Sequence, residues 1–281
     1  MTADGLSLNL GLIKPFAEYL VANGVNGLWL NGTSGEYASL SLSEKKAIVS
    51  AWMETKEVQS GALTVISHVG SNSVVDSIEL AKYSAEKGVD AIAIIAPSYF
   101  KPASELEIAK WIAEVARAVP LTPVFYYHIP SMNGVNSQVN RVLSLARDMS
   151  PNVVGCKFTD TRLDDLNLCV AKGFNILVGS DTLFLSALLQ GAQGIVGIGL
   201  NFNGKSYKAI YDGFKEERKS EAMAVQQKIA EMFVEFTGYD LIKIGKWFMK
   251  EKQGFDMGPT RLPKGEVTEK EADAIKTKVI E

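Results

Sequence analysis

The sequence predicts an α/β fold: a (β/α)₈ or TIM barrel followed by C-terminal helices, with the first barrel strand missing. Short apolar runs rich in valine, isoleucine and aromatic residues recur along the chain, and segments of helical length separate most of them. The runs are mostly continuous, which is typical of parallel strands covered on both faces. Seven such units in series favour a barrel over an open doubly wound sheet. The predicted strands are residues 25–32, 63–70, 89–97, 122–130, 152–160, 175–181 and 194–199.

The open doubly wound sheet stays as the alternative, because seven strands are one short of a closed barrel. However, no glycine fingerprint follows the first strand, and "GIGLNF" lacks the third glycine of a dinucleotide-binding motif. The missing strand belongs before the helix around "IKPFAEYLV". There "LSLNL" alternates as a strand does, but "TADG" favours a loop. Without that strand, the second and eighth strands would have unpaired edges.

Local signals mark where helices begin and end. "SLSE", residues 41–44, has the spacing of a capping box. Several helices end in a glycine that suits a left-handed closing residue: Gly24, Gly88, Gly173 and Gly191. Helical spacing continues late in the chain at Ala222, Val225, Ile229, Met232, Phe233 and Phe236. We expect one domain over residues 1–281, with βα units to about 204 and helices over about 205–281.

Charge and residue content exclude several classes of protein. The chain has 281 residues and a net charge of −3, whereas a nucleic-acid-binding protein normally carries a basic excess. No apolar run approaches the ~20 residues of a membrane span, and residues 1–10 lack a secretory pattern. Two cysteines and two histidines suit neither a disulfide framework nor a metal site. We expect a cytoplasmic protein with a small-molecule substrate, no nucleic-acid or membrane partner, and no metal or other cofactor.

Lys157 stands in "VVGCKFTD", residues 153–160, where valine and cysteine favour a buried strand. Burying an unpaired ammonium group costs several kcal/mol, so such a lysine snorkels, forms an ion pair or loses its proton. One interpretation is structural: Lys157 reaches solvent or pairs with Asp160 or Asp181. The other is catalytic, because desolvation lowers the pKa and a neutral amine attacks a carbonyl to form a Schiff base.

Residues 32–36, "GTSGE", follow the first predicted strand at the end where barrel enzymes carry catalytic groups. A tight turn is the structural interpretation. In the functional one, the glycines let backbone N–H groups converge, and Thr33 and Ser34 add hydroxyl donors. Together these donors would bind a substrate carboxylate. Glu36 is then expected to brace the loop.

The segment "YYHIP", residues 126–130, brings two tyrosines to a strand end. Strand periodicity turns only one of Tyr126 and Tyr127 to the interior, where it either packs or moves a proton to or from a substrate hydroxyl. His68 and His128 are expected to be structural, because neither has a companion at the spacing of metal ligands.

Residues 179–182, "GSDT", and Thr159 offer donors and acceptors for substrate hydroxyls. Barrels often bind phosphate in their last strand loops. Here the loops carry an acid and no cation, which disfavours a phosphate site.

Taken together, these motifs resemble the N-acetylneuraminate lyase and dihydrodipicolinate synthase superfamily of pyruvate-dependent class I aldolases. The resemblance covers nearly the whole chain and is closest to the animal-type lyases. It rests on the order of "GTSGE", "YHIP", "GCKFTDT", "GSD" and "GAQGIVG", with "HVG" and "MGPTRLP" in addition. It implies reversible cleavage of N-acetylneuraminate into N-acetylmannosamine and pyruvate, without a cofactor.

The resemblance also implies roles for individual residues. Lys157 would form the Schiff base, Tyr127 would relay the proton, and Thr33 and Ser34 would hold the carboxylate. Tyr99 would reach across a subunit interface in a homotetramer. The sugar-derived part of the substrate would contact Thr159, Gly179 and Asp181.

Three positions depart from the family pattern. Met132 replaces the arginine usual in dihydrodipicolinate synthases, which favours a substrate with a neutral polyol tail. Thr182 replaces the glutamate, and Ile198 the serine, with which sialic acid lyases bind substrate hydroxyls. Two alternatives therefore stay open: a related aldolase for another 2-keto-3-deoxy sugar acid, and a catalytically inactive, ligand-binding barrel.

Overall fold

Seven strands, all parallel, form one sheet in the computed structural model, which describes residues 1–269, 271–273 and 275. They follow one another in chain order across the sheet, and each lies within a predicted strand. The α/β fold class is thereby confirmed. The strands are β1 (Gly27–Leu30), β2 (Thr64–His68), β3 (Ala91–Ile95), β4 (Val124–His128), β5 (Val153–Phe158), β6 (Asn175–Val178) and β7 (Gly194–Ile195).

Helices connect the strands, as a parallel sheet requires. Short 3₁₀ helices cover Leu10–Leu12, Tyr37–Ser39 and Asp181–Leu183. The α-helices are α1 (Ile13–Ala22), α2 (Leu42–Met53), α3 (Lys56–Gln59), α4 (Val74–Glu86), α5 (Glu105–Arg117), α6 (Pro130–Asn133), α7 (Val139–Met149), α8 (Leu163–Ala171), α9 (Phe184–Leu189), α10 (Leu200–Lys215), α11 (Lys219–Glu235) and α12 (Leu241–Gln253).

The two outer strands of the sheet each have one partner. Within the described ranges, β1 pairs only with β2, and β7 pairs only with β6. The alternating segment "LSLNL", residues 6–10, forms no strand and leads into the 3₁₀ helix Leu10–Leu12. The prediction of seven strands with two unpaired edges is confirmed.

The predicted helix boundaries are confirmed by backbone geometry. Ser41 accepts a hydrogen bond from the backbone N–H of Glu44, whose side chain accepts one from the N–H of Ser41. This reciprocal pair satisfies two donors that an uncapped helix leaves free. All four helix-ending glycines have positive φ, between 77° and 94°: Gly24, Gly88, Gly173 and Gly191.

The register between β4 and β5 determines which side chains meet. Tyr127 lies opposite Lys157, and Tyr126 lies opposite Cys156, so the two tyrosines take opposite faces. An irregularity precedes these pairs: Val124 pairs with Val153, but the next residue of β4 pairs with Gly155. One extra residue in β5 therefore interrupts the alternation before Lys157.

One face of the sheet carries an apolar cluster beneath these polar strand ends. Its fully buried members are two alanines of β3 and Phe125 of β4, and side chains from four other strands pack against them. Burial of this kind stabilises the strands that carry Tyr127 and Lys157. The cluster comprises Ala91, Ala93, Phe125, Trp29, Ile66, Val154 and Leu177.

Residues 27–197 form one compact unit, and residues 1–26 with those from 198 onward form a second. The second unit contains α1 and α10–α12, in agreement with the predicted C-terminal helices. Its core is built on Phe202, Phe236, Ile244, Met249 and Ile275. A single domain over the whole chain stays a prediction. In the part of the chain that the structure describes, no helix is both long and apolar enough to span a membrane.

Substituting the capping residue tests the start of α2. Ser41→Ala removes one partner of the capping box, so the free energy of unfolding should fall by ~1 kcal/mol. Urea denaturation at constant m-value measures the loss. Ser220→Ala is the matched control, because Ser220 is exposed in the first turn of α11. An equal effect of both substitutions would contradict a stabilising cap.

Candidate active site

Lys157 points from β5 into a group of aromatic side chains. The residue is 7% exposed. Its Nζ lies 4.4 Å from the ring centroid of Tyr127 and 5.1 Å from that of Trp29. Of its two suggested ion-pair partners, Asp160 is held by Arg162 and His128. The structural interpretation of Lys157 as a surface lysine or an Asp160 partner is therefore wrong.

Burial lowers the pKa of Lys157 from 10.5 to about 7, and the negative charge of Asp181 opposes this shift. At neutral pH an ordinary lysine is a free amine about once in 3,000 molecules, whereas a pKa near 7 makes about half of them free. The aromatic faces favour the ammonium form by ~1–2 kcal/mol. This is less than the ~5 kcal/mol to which the pKa shift corresponds, so desolvation has the larger effect. The arrangement supplies a nucleophilic amine.

Tyr127 is the tyrosine of the pair that reaches this group. Its hydroxyl lies 2.9 Å from Oγ1 of Thr33, within hydrogen-bond distance, and its ring packs edge-to-face against those of Trp29 and His68. Burial raises the pKa of Tyr127 to about 12, although the bond to Thr33 lowers it. The hydroxyl therefore keeps its proton, and it moves a proton only by passing one on as it receives another.

The loop after β1 brings Thr33 to Tyr127 through two residues in left-handed conformation. Asn31 has φ 54° and Glu36 has φ 58°. Glu36 is buried, in agreement with a bracing role, whereas Ser34 is exposed. The backbone N–H groups of residues 33–35 donate to no acceptor in the described part of the chain. They are available as donors to a bound anion.

Thr159 and Gly179 meet at the ends of β5 and β6. A Cβ at Gly179 would lie 1.9 Å from Oγ1 of Thr159, so only glycine leaves room for the threonine side chain. That Oγ1 is buried without a hydrogen bond from a described residue. The backbone N–H of Thr159 donates to the backbone oxygen of His128, at 2.9 Å, which places Thr159 next to the strand end that carries Tyr127.

Asp181 begins the turn that follows β6 and is 7% exposed. Its carboxylate lies over the backbone of Gly197, where a Cβ would be 2.2 Å from Oδ1. Its effect on the pKa of Lys157 puts the acid within electrostatic reach of the amine. Thr182, the next residue, is exposed.

Four residues of the predicted site lie outside this group, and two of them, Ser34 and Thr182, are exposed neighbours of group members. Tyr99 is 79% exposed, and its ring packs against that of Phe100. Ile198 belongs to the second unit, where its side chain packs beside Gly245. Their roles stay predictions. The structure does bring together Lys157, Tyr127, Thr33, Thr159, Gly179 and Asp181.

Sequence reasoning missed the aromatic residues that surround Tyr127 and Lys157. Trp29 contacts both, and Tyr37 packs in the same cluster as Tyr127. Gly197, over which the Asp181 carboxylate lies, is not among the predicted site residues. Alternation along β1 could have indicated Trp29, because it shares a face with Asn31, where the loop begins.

Comparison with known proteins agrees with this geometry. Residues 3–281 match the model of the "Dihydrodipicolinate synthetase family". An N-acetylneuraminate lyase of Xenopus tropicalis is 38% identical over all of this chain and 92% of its own length. The corresponding mouse (Mus musculus) protein is 36% identical over 96% of this chain and 85% of its own.

A solved structure leads to the same family. The N-acetylneuraminate lyase of Proteus mirabilis is 27% identical and superimposes with a TM-score of 0.90, over 99% of this chain and 95% of its own. With the family model and two relatives above 30% identity, the chain belongs to the dihydrodipicolinate synthetase family.

Proposed function

We propose that this protein is a class I aldolase that cleaves N-acetylneuraminate reversibly into N-acetylmannosamine and pyruvate. The observation that carries the proposal is the buried amine of Lys157, with a pKa of about 7, beside a tyrosine whose hydroxyl contacts Thr33. The names of the animal relatives, N-acetylneuraminate lyase, support the choice of substrate.

The reaction begins when the neutral amine of Lys157 attacks the ketone carbon of the open-chain sugar acid. The resulting carbinolamine takes up a proton from solvent and loses water, which leaves a protonated imine, or Schiff base, between the nitrogen and that carbon. This positive nitrogen accepts the electron pair of the carbon–carbon bond that breaks. The low pKa of Lys157 supports this step, because the ammonium form has no lone pair for the attack.

Tyr127 serves the cleavage itself. Its hydroxyl takes the proton from the C4 hydroxyl of the substrate while it passes its own proton to the Thr33 hydroxyl, 2.9 Å away, which releases one to water. The C3–C4 bond then breaks, N-acetylmannosamine leaves as the aldehyde, and the electron pair forms the enamine of pyruvate. Protonation of the enamine carbon and hydrolysis of the imine release pyruvate and restore the amine.

The carboxylate of the substrate binds to the loop after β1. The free N–H groups of residues 33–35 and the hydroxyls of Thr33 and Ser34 are its donors. Hydrogen bonds to a charged group contribute about 1.5–3 kcal/mol each, so this loop orients the ketone towards Lys157. The sugar-derived part contacts Thr159, Gly179 and Asp181.

A related aldolase for another 2-keto-3-deoxy sugar acid is the second candidate. Thr182 favours it, because this position faces solvent as a short hydroxyl side chain where sialic acid lyases usually carry glutamate. Ile198 also favours it, because sialic acid lyases usually carry serine at this position and an isoleucine side chain cannot hydrogen-bond to a substrate hydroxyl. A catalytically inactive, ligand-binding barrel is the third candidate, and an imine adduct at Lys157 without turnover of any sugar acid would favour it.

We also propose a homotetramer in the cytoplasm. Tyr99 and Phe100 are 79% and 86% exposed and form an edge-to-face pair, which suits burial against a second copy. The cysteines Cys156 and Cys169 are free and buried, and burial raises the pKa of both thiols. Unpaired thiols agree with a reducing compartment, which cell fractionation tests.

Trapping with pyruvate tests the nucleophile. Borohydride or cyanoborohydride should fix pyruvate to the peptide containing Lys157, and the trapping rate should rise with pH towards about 7 and level off above it. Lys157→Met should abolish the adduct. Lys45→Met is the matched control, because Lys45 is 8% exposed and also has a pKa lowered by burial. An adduct elsewhere, or none, would sink the mechanism.

Substrate comparison tests the choice of sugar acid. We expect kcat/KM for N-acetylneuraminate to exceed that for 2-keto-3-deoxy sugar acids by about tenfold or more, because one hydroxyl contact is worth roughly that factor. Thr182→Glu should lower KM for N-acetylneuraminate further. The reverse preference in a coupled pyruvate assay would establish the second candidate instead.

Light scattering tests the assembly. The purified protein should have four times the mass of one chain, and Tyr99→Ser combined with Phe100→Ser should reduce it. Leu121→Ser is the control, because Leu121 is 97% exposed at a different loop. A monomer of the unsubstituted protein would refute the tetramer.

A further inference from the structure

His68 is a fully buried histidine to which the proposed reaction gives no role. It is the last residue of β2 and is 0% exposed. Its ring packs edge-to-face against Tyr37, with ring centroids 4.7 Å apart, and against Tyr127, with centroids 5.5 Å apart. It therefore contacts the phenol ring of Tyr127 directly.

One hydrogen bond fixes the tautomer of His68. Nδ1 lies 2.7 Å from the backbone oxygen of Asn31, and a carbonyl oxygen only accepts hydrogen bonds. Nδ1 therefore carries the proton and donates it. Nε2 is then unprotonated, is buried, and has no partner among the described residues.

The imidazole also stays uncharged. Burial lowers the pKa of His68 to about 3, the bond to Asn31 opposes the shift, and the positive charges of Lys45 and Lys157 add to it. The charge state of the ring therefore does not change between pH 5 and 9. A neutral ring adds no positive charge beside Lys157.

The partner of Nδ1 lies in the loop that carries Thr33. Asn31 has φ 54°, in the left-handed region, which asparagine adopts more readily than most residues other than glycine. Its side-chain amide also donates to the backbone oxygen of Lys45, at 3.3 Å. Two residues further on, Thr33 contacts the Tyr127 hydroxyl at 2.9 Å. His68 thus contacts the ring of Tyr127 directly, and it is linked to the Tyr127 hydroxyl through the loop that carries Asn31 and Thr33.

We propose that His68 is a positioning residue for Tyr127. Its Nδ1–H holds Asn31 and thereby the loop that keeps Thr33 on the hydroxyl, while its ring holds the phenol ring in place. This role rests on the proposed function of Tyr127 as the proton relay. It serves the cleavage step and leaves imine formation at Lys157 unaffected.

The alternative is that His68 only fills space. Packing around it is tight, because a Cβ at Gly70 would lie 2.6 Å from its Nε2 and 2.5 Å from Cγ2 of Ile95. A space-filling role and a positioning role rank two substitutions in opposite order. Glutamine is closer to histidine in volume, whereas asparagine places an amide donor near the position of Nδ1.

The experiment compares His68→Asn with His68→Gln. We expect His68→Gln to lower kcat for cleavage by roughly 10²-fold, the loss typical of a misplacement of about 1 Å, and His68→Asn to lower it far less. Both should keep borohydride trapping of pyruvate within about threefold of the unsubstituted protein, as an intact imine step requires. Tyr127→Phe, in which the hydroxyl is absent, sets the largest expected loss at about 10²–10⁴-fold.

Two controls separate positioning from stability. Ser67→Ala alters a buried neighbour on the same strand whose hydroxyl lies 3.0 Å from that of Ser84 on the other face, and it should keep kcat. Thr33→Val breaks the next link, so adding His68→Gln to it should cost at most about twofold more. Full additivity of the two losses would overturn the proposal.

Crystal structures of the two His68 variants test the proposal without an activity measurement. The Thr33–Tyr127 contact should persist in His68→Asn and be lost in His68→Gln. If His68→Gln keeps that contact, or cleaves faster than His68→Asn, His68 only fills space and the proposal is wrong. If the unsubstituted protein neither traps pyruvate nor cleaves sugar acids, the proposed function fails, and the crystallographic comparison still decides the role of His68.

Discussion

Desolvation of one amine is the interaction on which the rest of the site depends. Two aromatic faces and an acid all favour the charged form of Lys157, yet its pKa still falls from 10.5 to about 7. At 1.36 kcal/mol per unit, this shift corresponds to about 5 kcal/mol in favour of the neutral amine. Burial on β5 therefore decides the chemistry, and the sheet around it is what makes burial possible.

The same burial acts on the neighbours of Lys157 in a consistent direction. It raises the pKa of Tyr127 to about 12 and lowers that of His68 to about 3, so both are neutral at physiological pH. Asp181 is then the charged residue that affects the pKa of Lys157, and its negative charge raises that pKa. The free N–H groups at residues 33–35 are neutral donors as well, so this loop adds no cation near Lys157.

Much of the fold could be predicted because its signals are local. Each strand is an apolar run, and helix ends carry a glycine or a capping box that acts within four residues. The order of the motifs was enough to bring Lys157, Tyr127 and Thr33 together, since carboxyl ends of parallel strands share one edge. Strand length was less predictable: β7 covers only Gly194–Ile195, because apolar composition does not record where ladder hydrogen bonds stop.

The rest of the site could not be predicted because it depends on contacts between distant segments. The extra residue in β5 interrupts the period of two, so counting back from Lys157 gives the wrong face for Val153. The contacts of His68 with Tyr127 and with the backbone of Asn31 join β2 to β4 and to the loop after β1. No spacing within one segment indicates such contacts, or which ring nitrogen carries the proton.

The close approach of Thr159 to Gly179 has a consequence for how this protein can change over generations. A side chain at position 179 would collide with the threonine hydroxyl, so a substitution at one position depends on the residue at the other. A residue with a Cβ at position 179 therefore requires that Thr159 first be replaced by a smaller residue or that its Oγ1 turn away from Gly179. Either change moves or removes a buried hydroxyl that has no hydrogen-bond partner among the described residues.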